Sequence, residues 1–340
     1  MGLITTASVL ARFPFYQFER LIHSRAINDI VLPSDPIFII GHWRSGTTHL
    51  HNLLSQDPQF GSINFLQTAL PWDFIGQVKL SKKILSRTLP ENRGMDNVKL
   101  TIDTPQEEEM ALGNMGPLCY YYCYYFPHEI EEHFDRAVLL EGISAGDLKR
   151  FEKNFSYLLK KLTLFHGLNK RLLLKNPANT GRIRWLRQLY PNAKFIHIHR
   201  NSYSVFSSTL KHFQRTMAAF AWQSYSGIDF EKITLRHYRL LMQRYFDDRA
   251  SIPPENFYEL SLDAVEDDAI VEIDKIYEHF SLPNRASALE SIDSYNKKLS
   301  NYQKNKYTLT QSQISNVIKH WDFVLKEYGY NVPDEIEVKD

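Results

Sequence analysis

Two cysteines in 340 residues are too few for a disulfide framework. They stand at Cys119 and Cys123, and free, partly buried thiols are the expectation, which suits a reducing, cytoplasmic setting. Long apolar runs are also missing. No window approaches the ~20 residues that span a bilayer, and the opening MGLITTASVLARFPFYQFERL lacks the basic leader and apolar core of a secretory signal. Nor is there an excess of either charge. The 40 basic and 39 acidic residues leave a formal net charge of +1, which argues against a general nucleic-acid binder with its clear basic excess. No internal repeat, low-complexity tract or Gly/Ser linker divides the chain, so one domain over 1–340 is the economical reading.

What is present is an ordinary globular composition, 43% hydrophobic and 23% charged. Residues 1–34 read as a helical lead. Their opening fits the loose myristoylation pattern of Gly2 with Thr6. The apolar positions Leu10, Phe13, Phe15, Phe18 and Leu21 are expected to pack on the domain, in preference to a peripheral membrane contact.

Further along, PIFIIG (36–41) reads as a buried strand, followed by a helix, TTHLHNLLSQDP, that stops at Asp57-Pro58. RLLLKNP (171–177) and KFIHIH (194–199) are two more buried strands, with helical patterns over 180–190 and from Asn201 onward. The intervening 61–170 looks mostly helical and loop-like. Strands alternating with helices imply an α/β fold: a three-layer α/β/α arrangement with a mainly parallel central sheet and a large helical insertion. Ligands of such sheets bind beyond the carboxyl ends of the strands. Chemistry is therefore expected in the loops after 36–41, 171–175 and 194–199.

The first of these loops, GHWRSGTT (41–48), is P-loop-like. Glycines at 41 and 46, and hydroxyl residues opening a helix, make a phosphate cradle from backbone N–H groups. Thr47 stands where a nucleotide-triphosphatase loop needs lysine, which weighs against the rival reading of a kinase or NTPase. Arg44 restores a cation with a two-pronged grip. At the end of the second strand, Lys175 is either a snorkelling edge residue or an aimed cation. At the end of the third, Arg200 precedes a helix in which Ser208 lies about two turns on.

The RSGTT loop resembles the 5′-phosphosulfate loop of sulfotransferases that use 3′-phosphoadenosine-5′-phosphosulfate (PAPS), in the branch with arginine in this loop. That branch includes bacterial and tyrosylprotein enzymes. HRNSYSVFSS (199–208) is similar to the family's 3′-phosphate motif. The resemblance makes 35–60 the phosphosulfate unit and 61–170 the acceptor side, with 171–340 carrying the second phosphate site and closing helices. It implies a sulfuryl transfer from PAPS to an acceptor hydroxyl or amine, releasing PAP by in-line displacement, and it requires no metal. Arg44, Ser45, Gly46, Thr47 and Thr48 would hold the phosphosulfate, with Arg200, Ser208 and Lys306 at the 3′-phosphate. Lys175 would stabilise the leaving phosphate with help from Arg44. A non-catalytic nucleotide-binding protein of the same fold is the remaining alternative.

The general base is not fixed by the resemblance, since Pro177 occupies the place of the cytosolic branch's histidine. DTPQEEEMAL (103–112) resembles a recurring bacterial P-x-E-x-E segment and offers Glu107 and Glu109, with Glu108 between them. Acidic residues in a first helical turn also simply complement its dipole. The pairs His49/His51 and His197/His199 lack further ligands at metal spacing and read as structural histidines. His42 is a secondary candidate for acceptor contact. GPLCYYYCYYFP (116–127) has more rings than one core face can take, so some line a pocket. Such a pocket suits a small-molecule, lipid or glycan acceptor. Within ENFYELSLDAV (255–265), Leu262 replaces the family's tyrosine, so an adenine contact from that ring is not expected.

Overall fold

The computed structural model describes residues 2–32, 35–76, 101–299 and 307–339, with side chains described from Val9 onward. Five strands form its main sheet: β1 (Ile37–Ile40), β2 (Phe60–Gly61), β3 (Arg171–Lys175), β4 (Lys194–His199) and β5 (Phe257–Ser261). Their order is β2-β3-β1-β4-β5 and every pairing is parallel. Successive side chains of a strand point to opposite faces. Phe38, Ile40, Leu172, Leu174 and Phe195 accordingly enter one core, and Ile37, Ile39, Leu173, Ile196 and Ile198 the other. Because both faces are covered, β1 and the middle of β3 are apolar runs, while β4 alternates isoleucine with His197 and His199, of which His197 is paired with Glu259.

Helices Ala145–His166, Ser202–Phe220, Phe230–Arg249 and Gln311–Tyr328 close the first core, and Thr47–Leu54, Ala269–His279 and Arg285–Asn296 the second. The result is the expected three-layer α/β/α arrangement. β1 lies at the centre of the sheet. The chain leaves it for β2 and β3 on one side and returns to β4 and β5 on the other, so the strand order reverses beside β1. That reversal is where an open parallel sheet has a crevice.

Several local readings change. The helical pattern over 180–190 resolves into a tight 3₁₀ turn, Pro177–Gly181, and a shorter helix, Ile183–Leu189. Asn176 starts the turn by accepting the Ala178 amide on its own side chain at 3.0 Å. The closing region is not helical throughout. β6 (Tyr307–Thr310) pairs in parallel with β7 (Ile336–Lys339), and a capping box of Thr310 with Gln313 then starts the last helix.

The lead is a helix, Gly2–Asp29, as expected, but its packing is reversed. Leu10, Phe13, Phe15, Phe18 and Leu21 remain 69%, 57%, 40%, 58% and 81% exposed. The helix docks by its polar side: Glu19 is buried against Lys161 and accepts the Ile75 and Gly76 amides at 2.9 and 3.0 Å. Arg12 Nε donates to Asp73 at 3.2 Å. At about 100° per residue, Leu10 and Leu21 fall opposite Glu19. Anchoring the polar side turns the apolar side outward. Among the described residues, no helix is long and apolar enough to cross a membrane.

Candidate active site

The loop after β1 is shaped by two glycines. Gly41 and Gly46 take φ of 144° and 93°. A Cβ would lie 2.2 Å from the Ile198 carbonyl oxygen at Gly41, and 2.5 Å from Leu262 Cδ1 at Gly46. Gly41 is blocked by backbone, and at Gly46 the left-handed backbone would strain any other residue and displace Leu262. Gly46 also opens helix Thr47–Leu54 without a side-chain cap, so the first amides of the helix keep no intrahelical partner. Such a terminus favours an anion.

Lys175, at the end of β3, is 1% exposed. Its Nζ donates to Thr48 Oγ1 at 3.1 Å and pairs with Glu107. The other oxygen of Glu107 accepts the Tyr121 hydroxyl, whose oxygen accepts Trp43 Nε1–H at 3.2 Å. Burial, reinforced by the charge of Glu107, pushes the Tyr121 phenol up and keeps it a donor. A chain of contacts thus runs from Trp43 through Tyr121, Glu107 and Lys175 back to Thr48, beginning and ending in one loop.

The three glutamates have different surroundings. Glu107 lies in this chain and faces Lys175. Glu109 is fully buried under a two-pronged Arg182, at 2.7 and 3.0 Å, and also accepts Asn176 Nδ2 and the Tyr120 amide at 2.9 Å each. Burial raises its pKa, but the Arg182 charge and these bonds win and leave it lowered. Glu108 accepts Asn179 Nδ2 at 2.6 Å, and burial lifts it to about 7.

At the end of β4, Arg200 Nη1 donates to the Arg44 carbonyl at 3.4 Å, and Arg44 Nε donates to Ser208 Oγ at 2.9 Å. Arg44 itself holds φ of 73°, a strained setting outside glycine. Tyr307 completes the group, with the Arg200 guanidinium 5.7 Å and Lys211 Nζ 4.8 Å from its ring centre. Burial alone would raise its phenol, but the Ser208 hydrogen bond and the charges of Arg200 and Arg44 bring it below its ordinary value. Positive potential is concentrated here. Lys306 lies outside the described residues.

Beside the loop is a small cleft whose lining includes His42, Trp43, Tyr120, Tyr124, His212 and Phe213. Tyr124 and His212 are hydrogen-bonded at 3.0 Å. Burial holds His42 at about 3, and burial with the Arg44 charge holds His212 at about 4, so both rings are neutral near pH 7.

Arg44, Lys175, Glu107, Arg200 and Ser208 therefore converge. Glu109 sits behind them. His197 meets Glu259 at 2.8 Å and stacks on Tyr245 at 3.8 Å, and His51 meets Ser62 at 3.3 Å. Cys119 and Cys123 are free and buried. Among the described residues, no three His, Cys, Asp or Glu side chains group as metal ligands. Trp43, Tyr121, Arg182 and Tyr307 are site residues that the pattern alone did not single out. Trp43 and Tyr121 do lie inside the phosphate loop and the aromatic run.

A family model described as the sulfotransferase family matches residues 36–286. The omega-hydroxy-beta-dihydromenaquinone-9 sulfotransferase Stf3 of Mycobacterium bovis is 28% identical over 319 residues, covering 92% of this chain and 80% of its own length. The Mycobacterium tuberculosis protein of that name matches equally. Sulfotransferase STF9 of Mycobacterium avium superposes with a TM-score of 0.72 at 16% identity, over 94% of this chain and 82% of that one. STF1 of Mycobacterium tuberculosis gives 0.63 at 18% identity, over 83% and 76%. At these identities the two structures speak for the fold alone.

Proposed function

The chain belongs to the sulfotransferase family, and we propose that it moves a sulfuryl group from PAPS to the hydroxyl of a small, lipid-like acceptor, giving PAP and a sulfate ester. One observation carries this reading: Lys175 reaches both the phosphate loop, through Thr48, and a carboxylate, Glu107. A leaving-group cation and a proton acceptor lie side by side at the mouth of an anion cradle.

The 5′-phosphosulfate is held by Arg44, Ser45 and the amides of Gly46 to Thr48, and the 3′-phosphate by Arg200 and Ser208, with Lys306 as a further candidate cation from the sequence. The acceptor oxygen bonds to sulfur while the bond from sulfur to the 5′-phosphate oxygen breaks. The electron pair of that bond stays on the phosphate, where Lys175 and Arg44 meet its charge. Glu107 takes the acceptor's proton, held in place by Tyr121. Glu109 is a positioning residue. It fixes Asn176, next to Lys175, and the Tyr120 amide, next to Tyr121.

The aromatic cleft with its neutral imidazoles supports an uncharged acceptor. The mycobacterial relative named for a hydroxylated menaquinone supports a lipid-like one. The test supplies PAPS with a panel of hydroxylated lipids and phenols, and follows PAP release. Acceptor-dependent release that Glu107→Gln abolishes, with PAP binding kept, is expected. Full-rate transfer by Glu107→Gln would overturn the assignment of the base.

A further inference from the structure

The outward side of the N-terminal helix is the second surface that calls for a partner. Val9, Leu10, Phe13, Phe18, Leu21 and Ile22 are all exposed there. Single exposed apolar residues are ordinary, but a continuous stripe on one helix marks an interaction site. Arg20 and Arg25 are exposed on the same helix, Arg25 one turn from Leu21 and Ile22. Asp29 pairs with Arg25, so Arg20 carries the unbalanced positive charge of this side. Glu19 is buried on the inner side with Lys161, and Asp29, at the helix end, stands 3.8 Å from Arg25.

We propose that this side of the helix docks on an anionic lipid surface. The charges select a bilayer over a second copy of the chain. A two-fold contact through the stripe would bury Arg20 of both copies in an apolar interface, with Asp29 already paired to Arg25 and Glu19 to Lys161. At a bilayer surface the same arginines lay their stems along apolar groups and reach lipid phosphates with their guanidinium forks. Leucine and phenylalanine on one side, with flanking arginines, are the features of a helix that lies in the interface plane. Docking would bring a lipid-borne acceptor near the enzyme, but it stands without that reading because it is measured without sulfuryl transfer.

The test is co-sedimentation of the full chain with vesicles of phosphatidylcholine plus phosphatidylglycerol, and with vesicles of phosphatidylcholine alone. The chain should pellet with the anionic vesicles. Replacing Phe13, Phe18 and Leu21 together by serine should weaken binding about tenfold or more. Arg20→Gln with Arg25→Gln should remove the preference for the anionic lipid, at about fivefold per arginine. These side chains are exposed, so an unchanged melting temperature reports that the fold is intact. A chain that stays in the supernatant with both vesicles, or a triple variant that binds like the parent, overturns the proposal. So does a homodimer in sedimentation velocity that the same three substitutions dissociate.

Discussion

Replacing Lys175 by methionine removes the ammonium and keeps most of the apolar stem. In the present geometry the Nζ contacts Thr48 Oγ1 at 3.1 Å and Glu107. If it meets the charge on the departing phosphate, its loss removes one preorganised donor, which costs about 10²–10³ in rate, or about 2.7–4 kcal/mol. The cost to stability is smaller. Glu107 loses an ion-pair partner but keeps the Tyr121 hydroxyl, and its side chain is 13% exposed. About 1–3 kcal/mol is therefore expected, below the ~3–5 kcal/mol of a fully buried broken pair. Three readings separate these effects: single-turnover PAP formation, PAP affinity by calorimetry, and the melting temperature. The expected outcome is a large drop in rate, near-parental PAP affinity and a Tm lower by a few degrees. A rate within about threefold of the parent would refute the reasoning. Equal losses of rate and PAP affinity would make Lys175 a ground-state binder instead.

Three further outcomes follow from the geometry. Arg182→Met leaves the fully buried Glu109 without its two-pronged partner and should cost about 3–5 kcal/mol by denaturant titration; a loss under about 1 kcal/mol would contradict the role given to Glu109. Gly46→Ala places a Cβ against Leu262 in a left-handed backbone and should distort the phosphate loop, weakening PAP binding more than it lowers Tm. Stability should also fall with acid. Burial lowers His42 to about 3 and His166 and His199 to about 4, and burial with the Arg44 charge lowers His212 to about 4, against 6.5 in the open chain. The unfolded chain therefore takes up protons first, so this stability is complete above pH 6.5 and is lost as pH falls toward 4. Glu259 adds a loss lower still. Burial would raise it, but the His197 and tyrosine hydrogen bonds hold it at about 2, so its contribution fades as pH falls from 4.5 to that value. A melting temperature unchanged between about pH 7 and about pH 4.5 would contradict this.

The legible parts of the molecule were those carried by local pattern. β1, β3 and β4 are covered on both faces, so their sequences are dominated by apolar residues and end where the loops begin. Gly41 and Gly46 announce their turn because their positive φ angles disfavour any other residue. β2 escaped notice because it is two residues long, and β6 and β7 because YTLT and IEVK are short and mixed in character. The contacts that build the site are long-range. Glu107 and Lys175 are 68 positions apart, and Arg44 and Ser208 are 164 apart, so no window of sequence holds both partners. The N-terminal helix misled for a different reason. Its apolar stripe predicts burial, and the long-range contacts of Glu19 with Lys161 and of Arg12 with Asp73 show which side meets the protein.

The central claim is that one nucleotide is gripped at both ends, by the loop around Arg44 and by Arg200 with Ser208. Calorimetric titration of the full chain with PAP and with AMP, which lacks the 3′-phosphate, tests it most directly. PAP should bind about 10²-fold tighter or more, the worth of one or two charge-assisted bonds to a phosphate, and Arg200→Ala should erase most of that difference. AMP binding within about threefold of PAP would contradict the account.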